Sequence, residues 1–353
     1  MSIFSKRQDD YQEDEFDEDE ESFSGKGRRN LRRIKDLKPE NRRKRKEPPK
    51  PWGKKERYLV LGFLLGSVIL SLTLAASARS WKLPGFPKIS WPSFKEEVII
   101  ITANKSEKEK AEKTVTAFEG KTDEFSGIYA FEVLRLGDGF SYGVSQDKIM
   151  QAASLIKLPI LATLYSQAEA GKIDLDAKYT LKASDKIAGA GSLAAKPAGT
   201  VITYRQMAEL MGKQSDNTAF GIVKRTLGDG AINQEIAKIG MVDTSLAENE
   251  TTPADIALFF QKLWNKEIVT EDSRDEILNY LTDTIYNDWL VKGIPQVRVA
   301  HKYGREVHVI NDAGIVFSDK PFVLVIMTKG IIEKEADTLF PELARLIYEA
   351  EIR

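Results

Sequence analysis

A run of about twenty uncharged residues, from Tyr58 to Ala78, constrains the fold of this chain more than any other feature. As a helix, such a run is long enough to cross the roughly 30 Å hydrocarbon core of a bilayer. Lys54, Lys55 and Arg57 flank its N-terminal end, and basic flanks stay cytoplasmic. The sequence therefore predicts a single-pass transmembrane signal anchor over 58–78, with a cytoplasmic N-terminus and the bulk of the chain extracytoplasmic at the cell membrane.

This anchor is expected to stay uncleaved. Ala76-Ser77-Ala78 resembles a signal-peptidase site. The charged region before the apolar run is, however, far longer than that of a signal peptide, and the run itself is too long.

The residues before the apolar run, 1–57, divide into an acidic and a basic block. Residues 9–21 are nearly all acidic and 26–57 are strongly basic, although the formal net charge of the chain is only -1. Blocks of like charge repel themselves, which predicts a disordered cytoplasmic tail. We expect the basic block to meet anionic lipid rather than nucleic acid. The acidic block leaves open a cytoplasmic partner.

Beyond the apolar run, the composition changes twice. Residues 79–97 contain three prolines and two tryptophans, which predicts a semi-rigid stem with aromatic side chains at a membrane surface. From 98 to 353 the composition is that of a globular domain large enough for a sizeable core. There is no internal repeat.

The periodicities within 98–353 predict an α+β fold. Strand patterns flank a turn at Gly137-Asp138-Gly139 and return near the C-terminus, so one antiparallel sheet from both chain ends is expected beside a mainly helical subdomain. The predicted C-terminal strands are QVRVAHKYG, VHVINDAGIVFS and KPFVLVIMTKG. The predicted helices are SEKEKAEKTVTAFEG, residues 154–170, YRQMAELMGKQ, NTAFGIVKRTL, INQEIAKIG, TPADIALFFQKLWN, SRDEILNYLTDT and ELARLIYEAEI.

The residue types available for catalysis are limited. The chain has no cysteine, which excludes disulfides and thiolate metal sites. With only His301 and His308, a His-rich metal site is excluded and a Ser-His-Asp triad has few candidates. We therefore expect no metal and no other cofactor, and a base other than histidine for any hydrolytic chemistry.

One serine and one lysine interrupt the apolar stretch QAASLIKLPI. Ser154 and Lys157 stand three residues apart, so on a helix they share a face and can touch. A lysine in poor solvent near another positive charge has a lowered pKa and can take a proton from a hydroxyl. The pair is therefore a candidate nucleophile with its base.

Two further stretches could meet this pair. Ser215-Asp216-Asn217 lies between two helical patterns, where such residues form turns and caps. Lys302-Tyr303-Gly304 lies on a predicted strand. A second lysine would lower the pKa of the first, and the Ser215 hydroxyl could pass a proton to a leaving nitrogen. Gly304 would let a substrate lie against the strand, where backbone N–H groups can stabilise an oxyanion.

These three motifs, in this order, resemble those of the class A β-lactamases and the penicillin-binding serine D,D-peptidases. The resemblance covers about residues 105–350. It includes AGKIDLDAKYTL, PAGTVITYRQMAELMGKQSDNTAFGIV and TTPADIALFF.

The resemblance implies the fold of that superfamily and a role for each motif residue. It implies Ser154 as the acylated nucleophile, Lys157 as the base and Ser215 as the proton relay. It further implies Asn217 as a ligand of the substrate amide and Lys302 as a partner of its carboxylate. Tyr303, Gly304 and Arg305 are the adjoining substrate-binding residues. The implied oxyanion hole is formed by the backbone N–H groups of Ser154 and Arg305.

Two positions depart from the family pattern. The Glu-x-x-Leu-Asn stretch, whose glutamate activates the deacylating water in the lactamases, is absent from GMVDTSLAENETTPA; Glu248 and Glu250 are the nearby glutamates. Tyr303 stands where Thr or Ser is usual, so carboxylate recognition falls to Lys302 with Arg305 or Arg298, which offer charged donors.

By this resemblance, the leading expectation is hydrolysis of β-lactams. The alternatives are a D,D-peptidase that acts on cell-wall stem peptides, and a catalytically retired wall-binding module.

Overall fold

The computed structural model of the protein describes residues 53–78 and 105–353. The predicted disordered tail, up to residue 52, and the predicted stem lie outside the described residues. The chain divides into two units, Met1–Ser90 and Trp91–Arg353. Each unit is described by itself below.

The described part of the first unit is one helix, α1 (Lys54–Ala78). Among the described helices, none combines the length and the apolar character that a bilayer crossing requires. The predicted transmembrane segment at 58–78, and the single-pass membrane localisation that depended on it, are therefore wrong. The helix begins within the basic flank at Lys54, so its first turn is charged rather than apolar.

A five-stranded antiparallel sheet forms the centre of the second unit, and it confirms the predicted α+β class. Its strand order is β2-β1-β9-β8-β7, so strands from both ends of the domain meet at β1 and β9. The strands are β1 (Ile128–Arg135), β2 (Ser141–Val144), β7 (Val299–Glu306), β8 (Val309–Val316) and β9 (Phe322–Lys329). The β1–β2 hairpin and the three C-terminal strands lie where the sequence predicts them.

Helices cover both faces of this sheet. Successive strand residues point to opposite faces, so each strand contributes side chains to the packing on both. Phe131 and Val133 of β1 pack with the two terminal helices, whereas Ala130 joins the core of the helical subdomain. The terminal helices are α2 (Lys105–Thr122) and α10 (Glu333–Ile352).

The helical subdomain lies in the chain between the hairpin and β7, and it carries the candidate site residues that precede β7. Its helices are α3 (Lys157–Glu169), α4 (Tyr204–Gln214), α5 (Asn217–Leu227), α6 (Asp229–Ile239), α7 (Pro253–Trp264), α8 (Glu271–Thr282) and the short α9 (Leu290–Gly293). Two small antiparallel pairs complete it: β3 (Met150–Gln151) with β6 (Glu250–Thr251), and β4 (Lys178–Thr180) with β5 (Val201–Thr203). Each predicted helix of this region is present.

The last helix is longer than the sequence predicts. It begins at Glu333 rather than at Glu342, and Pro341 lies inside it. A Cβ on Gly293 would collide with the Pro341 carbonyl oxygen. Because Gly293 lacks that atom, α9 packs closely against α10 at the proline, which supports the helix where the local sequence would break it.

Candidate active site

Ser154 lies in a short 3-10 turn, Ala153–Ile156, that leads into α3. The residue before it, Ala153, has a left-handed φ of 49°, a conformation that residues with a Cβ rarely adopt. Two contacts hold this backbone. The Ala152 N–H donates to the Asn249 carbonyl at 2.8 Å, and Asn311 Nδ2 donates to the Gln151 carbonyl at 2.8 Å. The strained turn therefore presents a half-buried Ser154 at a fixed position.

The Lys157 side chain is 2% exposed, and its Nζ lies among four oxygens. Nζ is 3.1 Å from Ser154 Oγ, 3.0 Å from Ser215 Oγ, 2.6 Å from the Ser215 carbonyl and 2.8 Å from Asn217 Oδ1. An ammonium has only three N–H donors for these four contacts. Of these four oxygens, only the two serine hydroxyls carry a proton, so Ser154 and Ser215 are the groups that can donate to the amine once Lys157 is neutral.

Burial lowers the pKa of Lys157 from 10.5 to about 8, and the charge of Asp216 opposes that shift. A buried ammonium loses hydration that these contacts only partly replace. Lys157 is therefore neutral in a substantial fraction of molecules just above neutral pH, and a neutral amine can accept the Ser154 proton.

Ser215 and Asp216 form the sharp connection between α4 and α5. Ser215 ends α4 with a left-handed φ of 54°. Asp216 caps α5: its Oδ1 accepts from the Ala219 N–H at 2.8 Å, and its Oδ2 accepts from the Leu193 N–H at 2.8 Å. This capping fixes the turn, and the turn places the Ser215 hydroxyl against Lys157.

Asn217 lies at the rim of the site, at the start of α5. Its Oδ1 faces Lys157, and its Nδ2 donates to the Ala188 carbonyl at 3.2 Å. Its backbone N–H donates to the Ala190 carbonyl at 3.0 Å. The amide group predicted to bind substrate is thus next to the base.

Lys302 and Gly304 approach the same hollow from β7, the edge strand of the sheet. Lys302 is 1% exposed, and its Nζ donates to the Tyr303 carbonyl at 2.8 Å. Burial and the Lys157 charge lower the pKa of Lys302 well below its usual value, against the opposing effect of Asp312. A Cβ on Gly304 would lie 2.9 Å from the Ser154 backbone nitrogen. The three sequence motifs therefore converge on Ser154.

Three residues predicted to bind the substrate have other partners. Tyr303 stacks on Trp289 with 4.2 Å between ring centroids. Arg305 forms ion pairs of 2.7 Å with Glu333 and 3.3 Å with Asp337. The Arg298 guanidinium lies 4.8 Å from the centre of the Phe317 ring.

Neither glutamate noted in the sequence contacts the nucleophile or the base in the described part of the chain. Glu248 is exposed, and Glu250 belongs to β6, where it pairs with Gln151. Among the described residues, the carboxylate whose charge acts on the pKa of Lys157 is that of Asp216. Asp216 is fully buried and both its oxygens accept backbone hydrogen bonds, so this carboxylate is not exposed to a water that attacks at Ser154.

Sequence reasoning missed several supporting residues. Besides Ala153 and Asn311, a fully buried pair lies behind Lys302: His301 Nδ1 is 2.7 Å from Asp312 Oδ1, and Asp312 Oδ2 accepts from the Leu290 N–H at 3.1 Å. The available signal was the polar pair Asn311-Asp312 within the apolar strand pattern VINDAGIV. Within residues 53–78 and 105–353, no cluster of His, Asp or Glu could hold a metal ion.

Comparisons with known proteins agree with this arrangement. The model of the family described as "Beta-lactamase enzyme family" matches residues 110–350. No curated protein matches the chain at a significant level.

Solved structures share the fold. PBP-A is 26% identical over 68% of this chain and 96% of its own, with a TM-score of 0.64. A β-lactamase from Sphaerobacter thermophilus DSM 20745 is 25% identical over 69% of this chain and 97% of its own, with a TM-score of 0.63. A PBP-A variant, 25% identical over 69% of this chain and 96% of its own with a TM-score of 0.62, is an acyl-enzyme complex with penicillin G.

Proposed function

Because the chain belongs to the β-lactamase enzyme family, we propose that it is a serine hydrolase that forms an acyl-enzyme at Ser154 and releases it slowly, as a penicillin-binding D,D-peptidase does. One observation carries this proposal. A buried lysine with a lowered pKa touches both the candidate nucleophile and the candidate relay, while no carboxylate among the described residues is free beside them.

Acylation uses the neutral form of Lys157. Ser154 Oγ forms a bond to the carbonyl carbon of an amide, and its proton passes to Lys157 Nζ. Ser215 Oγ, 3.0 Å from that nitrogen, gives its own proton to the leaving nitrogen and takes one from Lys157 as the C–N bond breaks. The backbone N–H groups of Ser154 and Arg305 supply the oxyanion hole, since Gly304 lets the strand approach Ser154.

Deacylation requires a water that attacks the ester carbon and loses a proton to a base. Asp216 is occupied by two backbone N–H groups, which leaves Lys157 as the available base. After acylation, Lys157 has returned its proton through Ser215 and is neutral again. Its Nζ, however, faces the Ser154 and Ser215 hydroxyl oxygens, which are the attacking atom and the proton relay. We therefore expect the ester to persist.

Fast β-lactam hydrolysis is the second candidate. The structural similarity to a β-lactamase that is 25% identical in sequence favours it. It requires a water-activating group that the contacts of Lys157 do not supply. A retired wall-binding module is disfavoured by the intact contacts of 3.1 and 3.0 Å from Lys157 to the two serine hydroxyls.

The test is intact-mass spectrometry of the full chain after incubation with millimolar penicillin G, a concentration at which weak binding does not hide acylation. We expect a stoichiometric adduct that survives removal of free penicillin for minutes or longer. Loss of the adduct within seconds, with hydrolysed penicillin accumulating, would support the β-lactamase instead.

Two variants control this experiment. Ser154→Ala is expected to form no adduct, whereas Ser166→Ala, at a partly exposed position of the same helix α3 whose hydroxyl donates to Glu235, is expected to keep it. If neither penicillin G at any concentration nor a neutral fluorophosphonate forms an adduct on the parent chain, the proposed function is refuted.

A further inference from the structure

Three aromatic rings border the side of the site from which the leaving group departs. Trp289 stacks on Tyr303 with 5° between the ring planes, and Tyr286 packs against Tyr303 with 4.9 Å between centroids. Tyr286 Oη donates to the Gln214 carbonyl at 3.3 Å, directly before Ser215. Because Ser215 is the proposed proton donor to the leaving nitrogen, the departing part of the substrate meets this aromatic cluster, Tyr286–Trp289–Tyr303.

The aromatic cluster offers little to an anion. The face of an aromatic ring carries partial negative charge, and stacking shields the two faces that meet. Tyr303 is 9% exposed, and burial raises the pKa of its hydroxyl, which therefore stays neutral. A threonine or serine hydroxyl close to the backbone is replaced here by a packed aromatic ring, and the tyrosine hydroxyl lies farther from the backbone.

The cations near β7 are already engaged. Lys302 is buried and donates to the Tyr303 carbonyl at 2.8 Å. Arg305 pairs with Glu333 and Asp337 of α10, and Arg298 lies over Phe317. A substrate carboxylate would have to displace a carboxylate from Arg305, or reach the buried Nζ of Lys302, in order to gain a charged partner.

Acidic groups stand beside the aromatic cluster instead. Trp289 Nε1 donates to Asp337 Oδ1 at 3.2 Å, and the same oxygen lies 3.3 Å from Arg305. With Glu333, this corner therefore holds two carboxylates against one guanidinium. A third carboxylate that arrives there is repelled by the two already present.

We infer that this site selects amides whose leaving group lacks a free carboxylate, such as an internal peptide bond or a C-terminally amidated peptide. The inference rests on the proposed function, because it concerns the substrate of the same acyl site. It departs from the carboxylate partnership of Lys302 that the family resemblance implies.

The test is a competition at Ser154 in the full chain. A neutral fluorophosphonate, which carries no carboxylate, labels the nucleophile, and two peptides that end in D-alanyl-D-alanine slow the labelling. One peptide is the free acid and the other its carboxamide. We expect half-protection by the amide at a concentration at least tenfold lower than by the acid. Equal protection, stronger protection by the acid, or no protection by either would overturn the inference.

Variants identify the groups responsible. Glu333→Gln, at a partly exposed position, removes one of the two carboxylates paired with Arg305 and is expected to improve protection by the acid about twofold to threefold, without changing that by the amide. Glu342→Gln, on the same helix but paired with Lys121, is the matched control and is expected to change neither. If Glu333→Gln affects both peptides equally, the charge argument fails.

Failure of the proposed function gives a different result. In that case the fluorophosphonate and penicillin G leave Ser154 unlabelled in the parent chain, as in Ser154→Ala. A labelled Ser154 with a preference for the acid overturns only the substrate inference.

Discussion

The pH dependence of acylation tests the role of Lys157 directly. Its pKa of about 8 means that the neutral amine is the minority species below that pH. At pH 6, roughly one molecule in a hundred has the base form, and at pH 7 roughly one in ten. The acylation rate is therefore expected to rise about tenfold per pH unit from 6 to 7, and to level off above about 8.

The assay is the second-order rate of Ser154 labelling by the neutral fluorophosphonate between pH 6 and 9.5, since this probe has no titrating group. Lys157→Met is expected to lower the plateau by about 10² or more and to remove the inflection. Lys148→Met, at an exposed position before the nucleophile turn, is expected to leave the profile unchanged. A flat profile in the parent chain, or an inflection near 10.5, would refute the reasoning.

The same pKa shift predicts how stability depends on pH. Between about 8 and 10.5 the unfolded chain binds a proton at Lys157 that the folded chain does not, so the free energy of unfolding rises with pH in that window. Below about 8 the full penalty of burying the charge applies, about 3 kcal/mol. Relative to Lys157→Met, the parent chain should gain about 2.5 kcal/mol between pH 7 and 10. An equal change in unfolding free energy for the two proteins between pH 7 and 10, measured by denaturant unfolding, would contradict this.

Three other substitutions test contacts of the second unit, two of them at the site. Gly304→Ala would place a Cβ 2.9 Å from the Ser154 nitrogen, so acylation should fall at least 10² and the unfolding free energy should fall by about 1–3 kcal/mol; a normal labelling rate would show that the strand has room to move. Ser215→Ala removes the relay and should lower acylation by amides by 10² or more, measured by adduct formation with penicillin G, while a smaller effect would assign the proton transfer to Lys157 alone. Burial raises the pKa of Glu132 well above its usual value, so the folded parent loses stability as pH rises from about 4.5. Glu132→Gln, which cannot titrate, should gain on the parent in unfolding free energy between pH 4 and 7, and an unchanged difference would mean that Glu132 is ionised in the folded protein.

Local sequence patterns predict most of the helices and strands, because the spacing of apolar residues along them matches the faces that the fold buries. The 204–214 and 217–227 helices have one apolar face each, and a Gly-Asp-Gly turn at 137–139 joins the two paired strands of the hairpin. The pairing of Ser154 with Lys157 follows from helical spacing alone. Convergence of the three motifs could be expected only through the family resemblance, since no local rule brings residue 302 to residue 154.

What the sequence could not predict depends on tertiary contact. Trp289 and Tyr286 lie in the irregular segment after α8, and nothing in their spacing indicates that they pack on Tyr303. The extension of α10 through Pro341 requires the close approach of Gly293 from a different element. The predicted anchor at 58–78 was wrong, since no described helix has both the length and the apolar character that a bilayer crossing requires, and α1 begins within the basic flank at Lys54.

The position of β7 at the border of the sheet has a consequence for assembly. A border strand with unsatisfied amides and carbonyls invites strand addition by any extended chain, including another copy of the protein. Residues 299–304 of β7 are buried, and Arg305 and Glu306, both charged, are the part that reaches solvent. The charged end of β7 disfavours pairing with another chain, so strand addition at this border is expected only along the stretch beside Ser154.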